Sequence, residues 1–264
     1  MDSSVSSIPP HVRDHVLEFL IFSSMQLRLA PIVKYTALSL FSDRFFPSLQ
    51  SNRKTRFLQD NDSGNWLLQP LRESNLQLFA LISIWISSKM HNTCPLSVKS
   101  LKSLGDEIIK DQHFTTRDFA EAELVFLKVL RFEIGASNIA FVFLEELLIQ
   151  FRAVAKVGDI LNFDVCMDIM DLLYETEETL ILYTTPRSLA ASILVVSYLV
   201  TVPKQQWEFP LLPWGKIPSI RLLISYVYLM GLLIGMQSNG VITSFKCTAI
   251  TMHSSWAGHT VMCD

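Results

Sequence analysis

Residues 76–95, LQLFALISIWISSKMHNTCP, are apolar for most of their length, carry no charge before Lys89 and stop at a proline. Three readings compete: a membrane segment, a buried helix, or a helix that delivers one lysine to a defined place. Length removes the first. The apolar run 76–86, broken by Gln77 and Ser83, spans about 16 Å as a helix, against a hydrocarbon core of roughly 30 Å. Its apolar residues fall on every face, as on the central helix of a bundle, and Ser83, Ser87 and Ser88 let neighbours come close. Lys89 sits where the helix leaves the core. A cation at a helix C-terminus gains a few tenths to about 1 kcal/mol, which would account for it; a functional role is the alternative.

The rest of the chain is consistent with a bundle. Half of its 264 residues are hydrophobic and 18% are charged, glycine is scarce, and apolar residues recur at helical spacing, so the chain reads as all-α. Helices are expected near 12–25, 31–46, 75–90, 116–132, 137–152, 163–182 and 187–201, the last with Pro186 in its first turn, and short helices can fill the gaps. Thr115-Thr116-Arg117-Asp118 has capping-box spacing and marks a helix start. The polar, turn-rich segment 47–74 reads as a surface loop. LFALISIWISSK and SLAASILVVSYL, roughly 110 residues apart, form a weak internal repeat that two similar helical domains would explain.

Composition also excludes function classes. A net charge of −3 gives no support for neutralising nucleic-acid phosphates. Cys94, Cys166, Cys247 and Cys263 are widely spaced and follow no secretory signal, which points to the nucleus or cytosol. No glycine-rich phosphate loop, nucleophile elbow or HExxH zinc motif occurs, so neither a cofactor nor catalysis is indicated, and a binding protein is favoured. Cys247, His253, His259 and Cys263 match no common zinc spacing, and no metal is expected. The acidic stripe Asp164, Asp168, Asp171 and Glu175 reads as a solvated helix face, since no nucleophile accompanies it.

Two further constellations stand out. Glu123 has Phe119, Ala120, Phe126 and Leu127 as helical neighbours, and a carboxylate buried there without a partner would cost several kcal/mol. It needs a partner inside the fold, or an outward position on an apolar patch that something else covers. Arg13, in VRDHVLEFL, and Asp43, in SLFSDRFF, are either an internal ion pair or two unrelated surface charges.

In order along the chain, RDHVLEFL, KYTALSLFSDRFF, LQLFALISIWISSK, AELVFLKVLRFEI, FVFLEELL and TTPRSLAASILVVSYL resemble successive helices of the cyclin family, most like the plant J-type cyclins. The resemblance implies a cyclin fold of two consecutive five-helix domains, with completeness of the second left open. The expected division is a tail 1–10, a first cyclin box 11–134, a second domain 135–218 and a divergent tail 219–264. It implies a non-catalytic regulatory subunit that binds and activates a cyclin-dependent protein kinase and controls cell-cycle progression. Lys89 and Glu123 would contact the kinase, and Arg13 and Asp43 would form an ion pair within the first domain. Alternatives are a transcription-linked cyclin-fold adaptor, or a membrane-anchored variant through the apolar run 222–236.

Departures from the family pattern are also visible. Met90-His91-Asn92 stands where the family carries acids after the lysine, which bears on kinase choice. A substrate-docking patch would fall on Val12, His15, Val16, Phe19 and Phe22, and His15 weakens it. The run 222–236 spans about 22 Å and reads best as a core helix, although a marginal anchor is the alternative.

Overall fold

The computed structural model describes residues 10–54, 66–68, 70–135, 139–154, 156–175 and 185–203. Contacts divide the chain into two units, Met1–Phe141 with Tyr174–Thr176 and Val142–Leu173 with Glu177–Asp264. The described residues are helices, turns and connections, with no strand among them, so the chain is all-α as its periodicity predicts.

The first unit begins with α1 (Pro10–Gln26) and α2 (Pro31–Leu38). Between them Arg28 takes a left-handed φ of 49°, and Arg28 N–H and Leu29 N–H donate to the carbonyls of Met25 and Ser24. This is the closing geometry that glycine usually supplies at a helix end. Pro31 then opens α2, where its missing N–H is no loss.

After Leu38 the helix widens into a π-helical segment, Ser39–Phe45, and returns to α geometry in α3 (Phe46–Lys54). The single helix expected over 31–46 is therefore three segments, and the loop expected from 47 begins as helix. Pro47 supplies the physical reason: it has no N–H to donate, and its ring would press on the carbonyl four residues back, which a wider turn relieves. The widened turn directs Phe41 and Phe45 into the core. Phe45 stacks on Phe126 with centroids 4.3 Å apart and meets Phe79 at 4.8 Å.

α4 (Glu73–His91) is the predicted core helix, and it packs against α1, α2, α5 (Val98–Ile108) and α6 (Thr116–Val129). Ser83, Ser87 and Ser88 are fully buried. Ser83 Oγ donates back to the Ala80 carbonyl at 2.7 Å, whereas Ser87 Oγ donates across to the Val33 carbonyl of α2 at 2.7 Å. The short side chains thus bring backbones together and satisfy their own polarity. α5, one of the short gap-filling helices, is capped by Ser97, whose Oγ accepts from Ser100 N–H at 3.1 Å. A Cβ on Gly105 would lie 3.3 Å from Leu81, so this position faces α4 closely.

α6 starts at the predicted capping box. Thr115 Oγ1 accepts from Asp118 N–H at 3.2 Å, and Asp118 accepts from Thr115 N–H at 2.7 Å. It ends at Val129 rather than at 132, because Arg131 and Phe132 take φ of 54° and 61°. Phe132 N–H reaches back to the Leu127 carbonyl at 2.8 Å and terminates the helix.

In the second unit lie α7 (Ala140–Val154), a 3-10 turn (Lys156–Asp159), α8 (Phe163–Glu175) and α9 (Pro186–Thr201). Its apolar interior includes Leu144, Phe151, Cys166, Ile169, Ile193 and Val196. Phe151 meets Tyr198 edge-on at 5.5 Å. Asp164 and Asp168 of the acidic stripe are exposed, while Asp171 and Glu175 are half-buried.

The α2–α4 contact is testable through Ser87. Ser87→Ala should lower the free energy of unfolding in urea by about 1 kcal/mol, the value of one buried hydrogen bond. Ser87→Leu should cost a further 1–3 kcal/mol or so through overpacking. A leucine variant as stable as the alanine variant would show that the two helices are not closely apposed.

Candidate functional site

Lys89 leaves the last turn of α4 and Glu123 the middle of α6, two helices that pack directly on each other. Their side chains meet: Lys89 Nζ lies 2.6 Å from Glu123 Oε1, with the lysine side chain 38% exposed and the glutamate 22%. The partner that Glu123 requires is thus within the fold, at the surface rather than in the core. Leu124, next to it, is exposed.

Three groups that sequence reasoning did not single out complete this corner. Trp85 lies one turn before Lys89, and the Lys89 ammonium sits 3.5 Å from its ring centroid. The Trp85 indole N–H donates to the Leu96 carbonyl at 3.1 Å, and Leu96 N–H donates to Ser88 Oγ at 2.8 Å. Thr36, fully buried on α2, is within hydrogen-bonding distance of His91 Nε2 at 2.9 Å, and partial burial holds that imidazole below its ordinary pKa. The segment after α4 is therefore tied both to α4 and to α2. The i, i+4 spacing of Trp85 and Lys89 was the available signal.

Arg13 and Asp43 occupy neighbouring positions but make a different connection from a direct pair. Buried Arg13 donates from Nη2 to Ser42 Oγ at 3.1 Å and meets Asp14 Oδ1 at 3.3 Å. Asp43 as a residue is half-buried, yet its Oδ1 is sealed from solvent without a hydrogen-bond partner. Burial pushes its carboxyl up from 3.8 to about 6, against a hydrogen bond from Ser39, the charge of Arg13 and a hydrogen bond from Ser42, which pull it down. Ser42 is the link between the two because the π turn places it, and not the carboxylate, against the guanidinium.

Residues 1–135 match the family described as cyclin, N-terminal domain. Cyclin-J18 of Arabidopsis thaliana is 65% identical over 207 residues, covering 78% of this chain and 86% of that protein. The chain belongs to the cyclin family. A cyclin-J18-like protein of Oryza sativa subsp. japonica is 56% identical over 218 residues, 81% of this chain and 83% of its own length. Within the family this cyclin thus resembles the plant J-type members. The X-ray structure of a viral cyclin from herpesvirus saimiri superposes with a TM-score of 0.60 at 15% identity, over 86% of each chain, and supports the cyclin fold.

At the cyclin's α1, Val16 and Phe19 are core residues, Phe22 is exposed, and His15 Nδ1 stands 3.7 Å from Glu73 Oε1. Among the described residues no cluster of His, Cys, Asp or Glu is arranged to hold a metal ion, and no helix is long and apolar enough to cross a membrane. The run 222–236, and Cys247, His253, His259 and Cys263, lie outside the described residues.

The raised Asp43 pKa has a consequence for stability. An acid that binds its proton more tightly when folded stabilises the fold as pH drops, so stability is greatest below 3.8 and is lost as pH rises through about 6. Relative to Asp43→Asn, the wild-type free energy of unfolding should fall by on the order of 2–3 kcal/mol between about pH 4 and 6. Urea titrations across this range check it. Parallel profiles for the two proteins would show that the carboxylate is not desolvated.

Proposed function

We propose that this cyclin is a non-catalytic regulatory subunit that binds and activates a cyclin-dependent serine/threonine kinase, and thereby controls cell-cycle progression in the nucleus or cytoplasm. The observation that carries the reading is the Lys89–Glu123 pair, half-exposed at the junction of two helices of the first unit. A kinase becomes active when its own lysine–glutamate ion pair is in place, which depends on the position of its C-helix. A subunit that holds that helix needs a rigid surface. Both α4 and α6 meet this need, since each is anchored by the aromatic cluster of Phe45, Phe79 and Phe126. Charged groups at such a surface set register and partner choice more than raw affinity. The Met90-His91 segment, tied down through Thr36, lies beside the pair and is the natural place for kinase discrimination.

Exchanging the two charges tests the reading. In the double variant Lys89→Glu with Glu123→Lys the attraction within the pair persists, so the fold should survive, but the polarity offered to a kinase is inverted. Co-purification of the kinase from dividing cells, and the protein kinase activity recovered with it, should fall roughly tenfold or more. Unchanged recovery with an intact fold would place the kinase contact elsewhere.

A further inference from the structure

The Lys89 ammonium is held by two groups at once, Glu123 Oε1 at 2.6 Å and the Trp85 ring at 3.5 Å from its centroid. A cation within about 6 Å of an indole face is attracted by the negative face of the ring, so this geometry is favourable and directional. The indole is itself fixed by its N–H to the Leu96 carbonyl at 3.1 Å, and Leu96 in turn is fixed by Ser88 Oγ, on the residue next to Lys89. Ring, ammonium and the segment after α4 form one closed set of contacts. A tryptophan that served packing alone could be replaced by another large apolar side chain, and nothing would require its face to meet a charge. Among the described residues Glu123 makes no other hydrogen bond, so its second oxygen, like the outward side of the ammonium, is left for a partner.

We infer that Trp85 is a positioning residue for kinase binding: it holds the Lys89 ammonium, together with Glu123, in the orientation in which the kinase meets it. The inference rests on the reading of Lys89 and Glu123 as the kinase contact. Lysine has a flexible four-carbon stem, and ordering one such side chain at an interface costs roughly two- to tenfold in affinity. Trp85 removes that cost before binding. The indole touches no part of the kinase in this arrangement and acts through Lys89.

Four variants of the full chain separate the possibilities: Trp85→Leu, Trp85→Phe, Lys89→Met, and Trp85→Leu with Lys89→Met. Affinity for the co-purifying kinase is measured beside thermal unfolding. Trp85→Leu should weaken binding roughly two- to tenfold, Trp85→Phe should restore most of the loss through its own π face, and in the Lys89→Met background Trp85→Leu should have less than about a twofold effect. A partner-free readout accompanies this. After reductive methylation of lysines with a carbon-13 label, the Lys89 methyl resonance should be shifted upfield by the ring in wild type and Trp85→Phe, and not in Trp85→Leu. Equal losses on Trp85→Leu in both backgrounds would mean packing alone and overturn the inference, as would the absence of an upfield resonance in wild type. Should Trp85→Leu not fold, loss of the upfield resonance in Trp85→Phe overturns it. If Lys89→Met binds the kinase as wild type does while the upfield resonance is present, the kinase-contact reading has failed, and the positioning role in binding falls with it.

Discussion

A helix without a polar face is stable only where other helices surround it, and that constraint organises the first unit. α4 has buried residues at nearly every position from Ser74 to Ser88, so four neighbouring helices must enclose it. Serine makes the enclosure possible. A leucine at Ser83 or Ser87 would force the neighbours apart, while alanine would leave the Val33 carbonyl without the Ser87 hydroxyl. α4 becomes polar only at its end, at Lys89 and His91, and this is where the candidate site lies. The site is therefore a by-product of where the core stops, fixed by the most rigid element available.

The widened turn at Ser39–Phe45 shows how one backbone irregularity carries several tasks. It accommodates Pro47, turns Phe41 and Phe45 inward, and sets Ser42 against the Arg13 guanidinium. The cost appears at Asp43, whose carboxylate is desolvated more than its partners compensate. A buried acid with incomplete partners is weak support for stability; its value lies in requiring α1 and the widened turn to stay together, since separation would expose Arg13 and Asp43 to different surroundings.

Several features were legible in the sequence for physical reasons that leave a residue signature. Uncharged apolar residues on every face of 76–86 marked a core helix, the Thr115–Asp118 spacing marked a cap, and a lone carboxylate among Phe119, Phe126 and Leu127 demanded a partner. Other features leave no such signature. Both left-handed helix ends use Arg28, Arg131 and Phe132 where glycine would have announced them, so the end of α6 was placed too late. The π segment has no characteristic composition, and a strict helical period runs through it unnoticed. At the site, residue types could be chosen but not distances. Nothing in the spacing of Lys89 and Glu123 shows a contact of 2.6 Å, and Ser42 stood unremarked beside Asp43.

That contact changes what the pair can contribute to binding. An ammonium and a carboxylate already joined to each other have given up part of their hydration before a partner arrives, so less desolvation remains to oppose association. They also have less unsatisfied charge to offer, so the pair is better suited to fixing register than to supplying most of the affinity. The larger share has to come from apolar surface, and it is present: Leu124 follows Glu123 directly, and Phe132 stands exposed at the end of the same helix on a left-handed turn. Tertiary packing therefore fixes the charged pair, while backbone geometry at the helix end presents the apolar contact. In the proposed complex the lysine and glutamate select how the partner sits, and the apolar surface beside them determines how tightly it is held.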